Sequence, residues 1–331
     1  MSGTILIVGA GQAAVQAAES LRAGGYAGDI TLLGDEAHGP YHRPPLSKAW
    51  LAGEMDGAQL VMRAPEMLAR KNITLRTGVR VEAIDRAAKV VRLADGSALP
   101  YDGLVLATGS TPRSLPLPGG AAAGVHALRS RGDADAISAR LALCQEQQRP
   151  VVVIGGGFIG LEVAATARKK GLTVTVLEAA PRLLGRVLAP ALSDWYAALH
   201  RSHGVELVFD ARIEALETGA DGSVSGVRLA DGSLLPHQRP GHRRSGRLHR
   251  APAARWQPGP ARVGAERDRA GEVGRRRAAG TGSSVHGHAL VLERPVRQEA
   301  ADGGPLWRCR AMGRARRHGW RLIQRLPFPR G

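Results

Sequence analysis

The sequence has few cysteines and no long apolar run. Its two cysteines, Cys144 and Cys309, have no partner at C-x-x-C or zinc-ligand spacing. This excludes a disulfide framework, a structural zinc site and a redox-active dithiol. No stretch of 18 or more apolar residues is present, so no segment is predicted to span a membrane. The N-terminus enters a strand-like run without the pattern of a signal peptide, and a cytoplasmic protein is therefore expected.

Lysine and tyrosine are absent from residues 237–331. This segment holds 22 arginines and 6 acidic residues, a net charge of +16, whereas residues 1–236 hold 24 basic and 23 acidic residues. The formal net charge of +17 therefore belongs almost entirely to the C-terminal segment. Basic proteins often bind nucleic acid, but this segment has no recognisable nucleic-acid motif, and scattered arginines would make only non-specific, salt-sensitive contacts.

The N-terminal residues follow the order of a dinucleotide-binding unit: an apolar run Thr4–Val8, the turn Gly9-Ala10-Gly11-Gln12-Ala13-Ala14, a helix-like stretch to about Ala23, and a second strand Ile30–Leu33. Gly9 permits the tight turn, and Gly11 lets the backbone approach a pyrophosphate that the helix N-terminus attracts. Asp35 or Glu36 follows the second strand, where an acid binds ribose hydroxyls. The alternative is a glycine turn in an ordinary α/β domain.

The same order recurs in the middle of the chain: a strand Val151–Ile154, the turn Gly155-Gly156-Gly157-Phe158-Ile159-Gly160, a helix Leu161–Lys170, and a strand Thr173–Leu177 that ends on Glu178. An acid at this position accepts hydrogen bonds from a free 2′-hydroxyl and repels a 2′-phosphate, which favours NADH over NADPH. Arg182 and Arg186 lie near enough in the sequence to keep NADPH open.

An internal repeat indicates two related domains. Val91–Ser97 and Val227–Ser233 share the pattern Val-Arg-Leu-Ala-Asp-Gly-Ser, a strand that enters an Asp-Gly turn. An apolar strand, Leu104–Leu106, follows the first copy, but the second copy runs into His237-Gln238-Arg239-Pro240, so its last strand is expected to be missing. Two dinucleotide sites suggest a flavin and a nicotinamide, with electrons passing between them at the domain interface.

Three segments carry a more specific resemblance: Pro40-Tyr41-His42-Arg43-Pro44-Pro45-Leu46-Ser47-Lys48, Leu104-Val105-Leu106-Ala107-Thr108-Gly109, and Gly155-Gly156-Gly157-Phe158-Ile159-Gly160-Leu161-Glu162-Val163-Ala164-Ala165. Over about residues 3–236 the chain resembles the FAD-dependent NADH–ferredoxin reductases of the putidaredoxin, rhodocoxin and biphenyl-dioxygenase type. These serve cytochromes P450 and ring-hydroxylating dioxygenases and belong to the pyridine nucleotide-disulfide oxidoreductase superfamily.

The resemblance implies FAD and NADH as cofactors and a small iron-sulfur protein, a ferredoxin or rubredoxin, as partner. The FAD-binding positions it implies are Gly9, Gly11, Ala13, Asp35, Arg43, Lys48, Val81, Ala107, Thr108, Gly109 and Arg129. The NAD-binding positions it implies are Gly155, Gly157, Phe158, Ile159, Gly160 and Glu178. Lys48 and Glu162 would form a catalytic ion pair beside the flavin, and Phe158 would guard the nicotinamide pocket. Without the resemblance, Lys48 is interpreted as a solvent-exposed lysine. Glu162 is then interpreted as an exposed acid in the first turn of the helix Leu161–Lys170, where its charge complements the helix dipole.

The resemblance also suggests what the basic segment is. If each codon of residues 237–331 is read one base later, four blocks similar to the remainder of the family emerge in order: His237–His249 gives T-S-D-P…A-A-G-D-C-T, and Pro260–Glu272, Ala289–Gly304 and Trp320–Arg330 give the other three. This predicts that residues 237–331 are an out-of-frame reading of the family's C-terminal part. The chain would then lack the segments that enclose the flavin in the family.

The expected fold is α/β with two Rossmann-like, three-layer domains. Residues 1–110 form the first part of the FAD domain, 111–236 an NAD domain without its last strand, and 237–331 a mostly irregular segment with little apolar pattern. Three functions remain open: a working NADH:ferredoxin reductase, a catalytically defective relative with residual nucleotide binding, and non-specific nucleic-acid binding by the basic segment.

Overall fold

A computed structural model describes residues 3–236. Two similar halves follow one another along the chain, each with a parallel sheet and a three-stranded antiparallel sheet. The first half contains β1 (Thr4–Val8), α1 (Gln12–Ala23), β2 (Asp29–Leu33), a 3-10 helix (Pro44–Ser47), α2 (Ala49–Ala52), α3 (Gly57–Leu60), α4 (Pro65–Ala69), β3 (Ile73–Arg76), β4 (Val81–Asp85), β5 (Val90–Leu93), β6 (Ala98–Pro100) and β7 (Gly103–Leu106). The second half contains α5 (Arg131–Glu146), β8 (Val151–Ile154), α6 (Phe158–Lys169), β9 (Val174–Leu177), α7 (Pro190–Ser202), β10 (Val205–Val208), β11 (Ile213–Thr218), β12 (Val224–Leu229) and β13 (Leu234–Pro236).

The first parallel sheet has the strand order β3-β2-β1-β7. Its central strand β1 pairs in register with β2 from Thr4↔Asp29 to Val8↔Leu33, and with β7 on the other side. Strands covered on both faces are typically continuous apolar runs, and Ile5, Leu6, Ile7 and Val8 are all buried. The predicted strand–helix–strand order is therefore confirmed, with α1 ending at Ala23 as expected.

The second parallel sheet has the order β10-β9-β8. Strand β8 pairs with β9 from Val151↔Val174 to Ile154↔Leu177. Helix α6 begins at Phe158, three residues earlier than predicted, because Gly157 already provides the extended N-cap. Strand β13 ends at Pro236, the last described residue. The prediction that the counterpart of β7 is missing concerns the residues from His237 onward and lies outside the described part of the chain.

The sequence repeat corresponds to two equivalent hairpins. Strands β5 and β6 flank the first Asp-Gly turn, and β12 and β13 flank the second. In the first turn the Asp95 carboxylate accepts from the Ser97 backbone N–H at 2.9 Å, and Asp231 and Ser233 make the same 2.9 Å contact in the second. The two hairpins thus share the same hydrogen bond within their turns.

A shared apolar core joins the halves. Tyr41, Leu46 and Leu51 from the first half pack in one cluster with Ile137 of α5 and Val163 of α6. The segment with the Pro-Tyr-His-Arg-Pro-Pro-Leu-Ser-Lys motif therefore lies against the second half. The domain boundary near residue 110 and the irregular structure expected after 236 stay predictions, the latter outside the described residues.

Within residues 3–236, no helix is long and apolar enough to cross a membrane. The same residues contain no group of three or more His, Cys, Asp or Glu side chains that could hold a metal ion.

Candidate functional site

Helices α1 and α6 begin without a side-chain cap. Their N-cap residues are Gly11 and Gly157, and neither helix has an acidic residue in its first turn. By contrast, Ser130 caps α5 through a capping box with Asp133. The backbone N–H groups at the start of α1 and α6 are thus left for an external acceptor, and the helix dipole favours an anion there.

The glycines before these helices have distinct steric roles. A Cβ at Gly9, whose φ is +122°, would lie 2.1 Å from the Ala107 carbonyl oxygen, so only glycine lets the β1 and β7 ends meet. A Cβ at Gly160 would lie 2.2 Å from the Gly155 oxygen, which fixes α6 close to β8. A Cβ at Gly11 or Gly157 would meet nothing within 4 Å. These two positions face open space, where a pyrophosphate fits the uncapped N–H groups.

The predicted FAD positions gather at the carboxyl edge of the first sheet. Arg129 donates from Nε to the Ser110 carbonyl at 3.1 Å, directly after Ala107, Thr108 and Gly109. Arg43 in turn donates from Nη1 to the Arg129 carbonyl at 2.7 Å. Ligands of open α/β sheets bind outside the carboxyl ends of the strands, and this is where these residues lie.

The two acids after β2 have different surroundings. Glu36 is bound on both carboxylate oxygens: Arg43 donates to Oε1 at 2.7 Å, and the Tyr41 hydroxyl donates to Oε2 at 2.5 Å. Burial and this hydrogen bond raise the pKa of Tyr41 above its ordinary value. Asp35 is 64% exposed and has only a 3.8 Å contact to Arg80. Of the two alternatives, Asp35 is therefore the acid free to accept from a ribose, since Glu36 holds the Tyr41–Arg43 segment.

Two further predicted FAD positions lie near this edge. Ala13 is half-buried in the first turn of α1. Val81 opens β4, just after Val79, whose N–H donates to the Gly34 carbonyl at 2.8 Å beside Asp35. Val81 therefore follows a residue that is bonded to the end of β2.

The predicted NAD position Glu178 has an anchored carboxylate. The Gly156 N–H donates to its Oε2 at 2.7 Å, and the Ala180 N–H donates to Oε1 at 2.8 Å. Each oxygen keeps a lone pair for a ribose hydroxyl. The acid therefore lies directly beside the glycine turn, as dinucleotide binding requires.

The two arginines after β9 differ in availability. Arg182 donates to the Leu188 carbonyl, the Ser193 hydroxyl and the Gly185 carbonyl at 2.7, 2.9 and 2.6 Å. Its guanidinium is therefore engaged in holding the loop before α7. Arg186 is exposed, and it is the arginine that could still meet a 2′-phosphate.

Phe158 and Ile159 start α6 at the mouth of the second site. The Phe158 side chain is 50% exposed, which is unusual for a large aromatic residue, whereas Ile159 packs against the shared core. An exposed ring at a helix start beside the glycine turn fits the predicted role of Phe158 as a cover for a planar ligand.

Lys48 and Glu162 meet at the junction of the two halves. The Lys48 Nζ lies 2.9 Å from Glu162 Oε2, and the Ser47 hydroxyl donates to the same oxygen at 2.5 Å. Glu162 lies in the second turn of α6 with 27% of its side chain exposed. The ion pair between Lys48 and Glu162 is thus present. The interpretation of Glu162 as an exposed acid in the first helical turn is wrong, because the helix is capped by Gly157 and begins at Phe158, which places Glu162 in the second turn. Its position beside a flavin stays a prediction.

Sequence reasoning missed Ser47. The residue is 4% exposed, and its carbonyl also accepts from the Thr166 hydroxyl at 3.2 Å. The signal that could have identified it is its place between Leu46 and Lys48 in the most specific motif. Sequence reasoning also missed that Trp50 joins this junction, since its indole N–H donates to Asp135 on α5 at 2.7 Å.

Comparison with known proteins finds the chain similar to rhodocoxin and putidaredoxin reductases. It is 45% identical over 232 residues to rhodocoxin reductase of Rhodococcus erythropolis, covering 70% of this chain and 53% of that protein. It is 45% identical over 236 residues to putidaredoxin reductase of Pseudomonas putida, covering 70% and 55%. The chain therefore spans about half the length of the curated relatives it matches.

Solved structures agree with the described fold. The crystal structure of the covalent putidaredoxin reductase–putidaredoxin complex superposes with a TM-score of 0.66 at 43% identity, covering 71% of this chain and 56% of that one. The ferredoxin reductase for the CYP199A2 system from Rhodopseudomonas palustris gives the same TM-score at 41% identity, covering 70% and 56%. Residues 3–238 match the family described as pyridine nucleotide-disulphide oxidoreductase. The chain belongs to the pyridine nucleotide-disulphide oxidoreductase family.

Proposed function

We propose that this chain binds FAD at the first glycine turn and NADH at the second, and passes electrons from NADH through FAD to a ferredoxin or rubredoxin. The observation that carries the proposal is the Ser47–Lys48–Glu162 cluster, which joins the two halves between two uncapped helix N-termini. Relatives at 40–45% identity include rhodocoxin, putidaredoxin and rubredoxin reductases, which supports this class of acceptor.

The residues present fit both nucleotides. Gly11 and Gly157 leave open space beside unpaired N–H groups, and Asp35 and Glu178 supply one ribose acceptor each. When bound, a flavin supplies hydride acceptance from nicotinamide and one-electron release. The chain itself holds and orients: Lys48 keeps a positive charge at the junction, Glu162 fixes that charge, and Ser47 fixes Glu162.

We assign NADH as the preferred donor. The negative charge of Glu178 lies beside the glycine turn, Ala179 and Ala180 follow it, and Arg182 is turned into its own loop. A 2′-phosphate would therefore meet a carboxylate without a compensating cation other than Arg186. The cytoplasm is the proposed location, because neither cysteine has disulfide-framework spacing.

A matched pair of glycine variants tests the two sites separately. Gly11→Ala and Gly157→Ala both add a methyl group in open space at backbone angles that alanine adopts freely. We expect both full-length variants to keep the wild-type melting temperature. Gly11→Ala should lose at least tenfold in FAD affinity, measured by flavin fluorescence, whereas Gly157→Ala should keep FAD and lose NADH binding.

Turnover is measured with the same proteins. Wild-type chain reconstituted with FAD should reduce ferricyanide and a [2Fe-2S] ferredoxin in the presence of NADH, and both variants should lose this activity. A wild-type protein that is colourless after incubation with excess FAD and removal of the unbound flavin would refute the proposal. So would a Gly11→Ala protein that retains full flavin.

A second candidate function is nucleotide binding without turnover. It is favoured by one sequence observation: the positions after β13 that correspond to β7 hold Arg239, Pro240, Gly241 and His242, and a proline lacks the N–H that a strand ladder needs. The ferredoxin assay separates the candidates, because a defective relative would take up FAD without reducing the acceptor. Salt-sensitive retention on DNA by a flavin-free protein would instead support the third alternative, nucleic-acid binding.

A further inference from the structure

The Tyr41 hydroxyl bonds both halves of the chain at once. It accepts from the backbone N–H of Arg131, the first residue of α5, at 2.9 Å. Its single proton goes to Glu36 Oε2, just after β2, at 2.5 Å. Tyr41 is 7% exposed, and its ring lies in the shared core. The ring therefore contributes to packing, whereas the hydroxyl connects the end of β2 to the start of α5.

Arg43 extends this connection two residues along the chain. Its Nη2 donates to Glu36 Oε1 at 2.7 Å, and its Nη1 donates to the Arg129 carbonyl, two residues before α5, at 2.7 Å. The guanidinium also lies over the Tyr41 ring, 5.2 Å from the ring centroid. Glu36, Tyr41 and Arg43 therefore form one unit, which is bonded to two backbone groups at the start of α5.

A stiff segment leads from this unit to Lys48. Pro44 and Pro45 begin the 3-10 helix, and each proline ring fixes one backbone φ angle. The Lys48 Nζ donates back to the Pro44 carbonyl at 3.2 Å and pairs with Glu162 at 2.9 Å. The carbonyl that orients the ammonium thus belongs to the residue directly after Arg43. A shift of Arg43 would move this carbonyl and, with it, the Lys48 nitrogen.

We propose that Tyr41 is a positioning residue for Lys48. Its hydroxyl holds Glu36 at the start of α5, Glu36 holds Arg43, and Arg43 sets the place of the 3-10 helix that presents Lys48 to Glu162. The consequence for electron transfer rests on the proposed function, in which Lys48 supplies the positive charge at the junction. The positioning itself is a property of the chain without cofactors, and it can be measured separately.

The chemical reactivity of Lys48 reports its position. A reagent that attacks the Lys48 nitrogen must displace the Pro44 carbonyl and the Glu162 carboxylate, so a lysine that leaves these acceptors reacts faster. Lys71 is a matched internal reference: its side chain is 49% exposed against 53% for Lys48, and it pairs with Glu19 at 2.8 Å. Labelling of the full chain with acetic anhydride, followed by peptide mass spectrometry, gives the ratio of the Lys48 rate to the Lys71 rate.

We expect Tyr41→Phe, which keeps the ring and removes the hydroxyl, to raise this ratio about two- to threefold, within the range that an exposed ion pair contributes. Glu162→Gln neutralises the carboxylate directly and sets the full size of the effect. Adding Tyr41→Phe to Glu162→Gln should produce no further rise, because the hydroxyl acts through the same pair. The control is Tyr26→Phe, which loses a 2.8 Å hydroxyl bond to the Gly3 carbonyl before β1 and should keep the wild-type ratio.

Glu36→Gln tests the same connection without a change in the core, since the Glu36 side chain is 28% exposed. One of its two oxygens becomes an NH2 group, so either Tyr41 or Arg43 loses its acceptor. The labelling ratio should rise as in Tyr41→Phe. This variant keeps the proposal testable even if Tyr41→Phe does not fold.

Turnover of the FAD-loaded proteins tests the consequence for the reaction. In NADH-driven ferricyanide reduction, Tyr41→Phe and Glu36→Gln should lower kcat about threefold and leave the KM for NADH unchanged, because an interaction that acts on the reacting groups alone changes kcat. Tyr26→Phe should leave both constants at their wild-type values. A changed KM at an unchanged kcat would show that Tyr41 acts on nicotinamide binding, against the proposal.

The labelling experiment decides the positioning by itself. A wild-type ratio in both Tyr41→Phe and Glu36→Gln would overturn the proposal, as would an equal rise in Tyr26→Phe. A further rise in the double variant would show general loosening of the junction instead of positioning through Glu162. If the ratios behave as expected and the wild-type protein does not turn over, the proposed function fails and the positioning role of Tyr41 stands.

Discussion

Replacing Ser47 with alanine should destabilise the protein more than replacing Lys48, although Lys48 carries the charge. Ser47 is a buried residue, 4% exposed, and its hydroxyl donates to the Glu162 carboxylate at 2.5 Å. The Lys48 side chain is 53% exposed and pairs with the same oxygen at 2.9 Å. Burial therefore ranks the two contacts in the opposite order to charge.

The magnitudes follow from the two environments. A hydrogen bond to a charged group contributes about 1.5–3 kcal/mol to stability. The Glu162 side chain is 27% exposed, so in Ser47→Ala a water molecule can replace the lost hydroxyl as donor to the carboxylate. We therefore expect Ser47→Ala to lower the free energy of unfolding by about 1.5 kcal/mol, the low end of this range. An exposed ion pair contributes about 0–1 kcal/mol, so Lys48→Ala should lose about 0.5 kcal/mol. At roughly 2–4 °C per kcal/mol, the melting temperatures should fall by about 3–6 °C and about 1–2 °C.

Thermal unfolding followed by circular dichroism measures both variants. The double variant with Glu162→Gln provides the coupling: Ser47→Ala should cost clearly less when the carboxylate is already neutral. The reasoning is refuted if Lys48→Ala lowers the melting temperature as much as Ser47→Ala, or if the serine and glutamate changes are additive.

Three further outcomes are expected. Glu19→Gln should lower the melting temperature at pH 7 by about 2–4 °C, the equivalent of roughly 1 kcal/mol. Hydrogen bonds from Arg63 and Lys71 lower the pKa of Glu19 below its ordinary 4.5. The stability that these bonds contribute is therefore present above pH 4.5 and is lost as the pH falls through the lowered pKa. The melting temperatures of the wild-type and variant proteins should converge in acid, and a difference that stays constant with pH would contradict the assignment. Gly9→Ala should melt at a lower temperature than the wild-type protein, because the added Cβ would lie 2.1 Å from the Ala107 carbonyl oxygen. Gly11→Ala should melt at the wild-type temperature, because its added Cβ meets nothing within 4 Å. Equal melting temperatures of the two variants would show that the β1–β7 contact is not rigid. Glu178→Gln should weaken NADH binding by about tenfold, or ~1.4 kcal/mol, in fluorescence titrations, whereas Glu206→Gln on β10, whose carboxylate accepts from Thr175 at 2.9 Å, should leave it unchanged.

The parts of the fold that the sequence predicts are those governed by local chemistry. The apolar runs Thr4–Val8 and Val151–Ile154 become buried strands because both faces of a parallel sheet are covered. The glycine turns after them and the repeated Asp-Gly-Ser turns have a fixed backbone geometry that short motifs encode. Element type could therefore be predicted in both halves without any knowledge of tertiary contacts.

The parts that the sequence does not predict depend on contacts between distant residues. Ser47 lies 115 positions from Glu162, and no periodicity in either segment signals that contact. The choice between Asp35 and Glu36 was equally undetermined, because it depends on where Tyr41 and Arg43 fold back. Local pattern gives the candidates for a site, and packing of the segment between β2 and α4 selects among them.

The difference between the two halves has a physical consequence for the two sites. At the first site, the loop after β7 lies against Gly9 and continues to Ser110, where Arg129 is bound, so the glycine turn has a wall of backbone on the β7 side. At the second site, the described residues hold the turn from the β9 side, where the Leu177 carbonyl accepts from the Gly155 N–H at 2.7 Å and the Glu178 carboxylate accepts from the Gly156 N–H at 2.7 Å. A dinucleotide loses translational and rotational freedom in either site, but among the residues that the structure describes only the first turn is held from both sides, which reduces the ordering that binding imposes there. We therefore expect a dinucleotide to be bound more firmly at the first glycine turn than at the second.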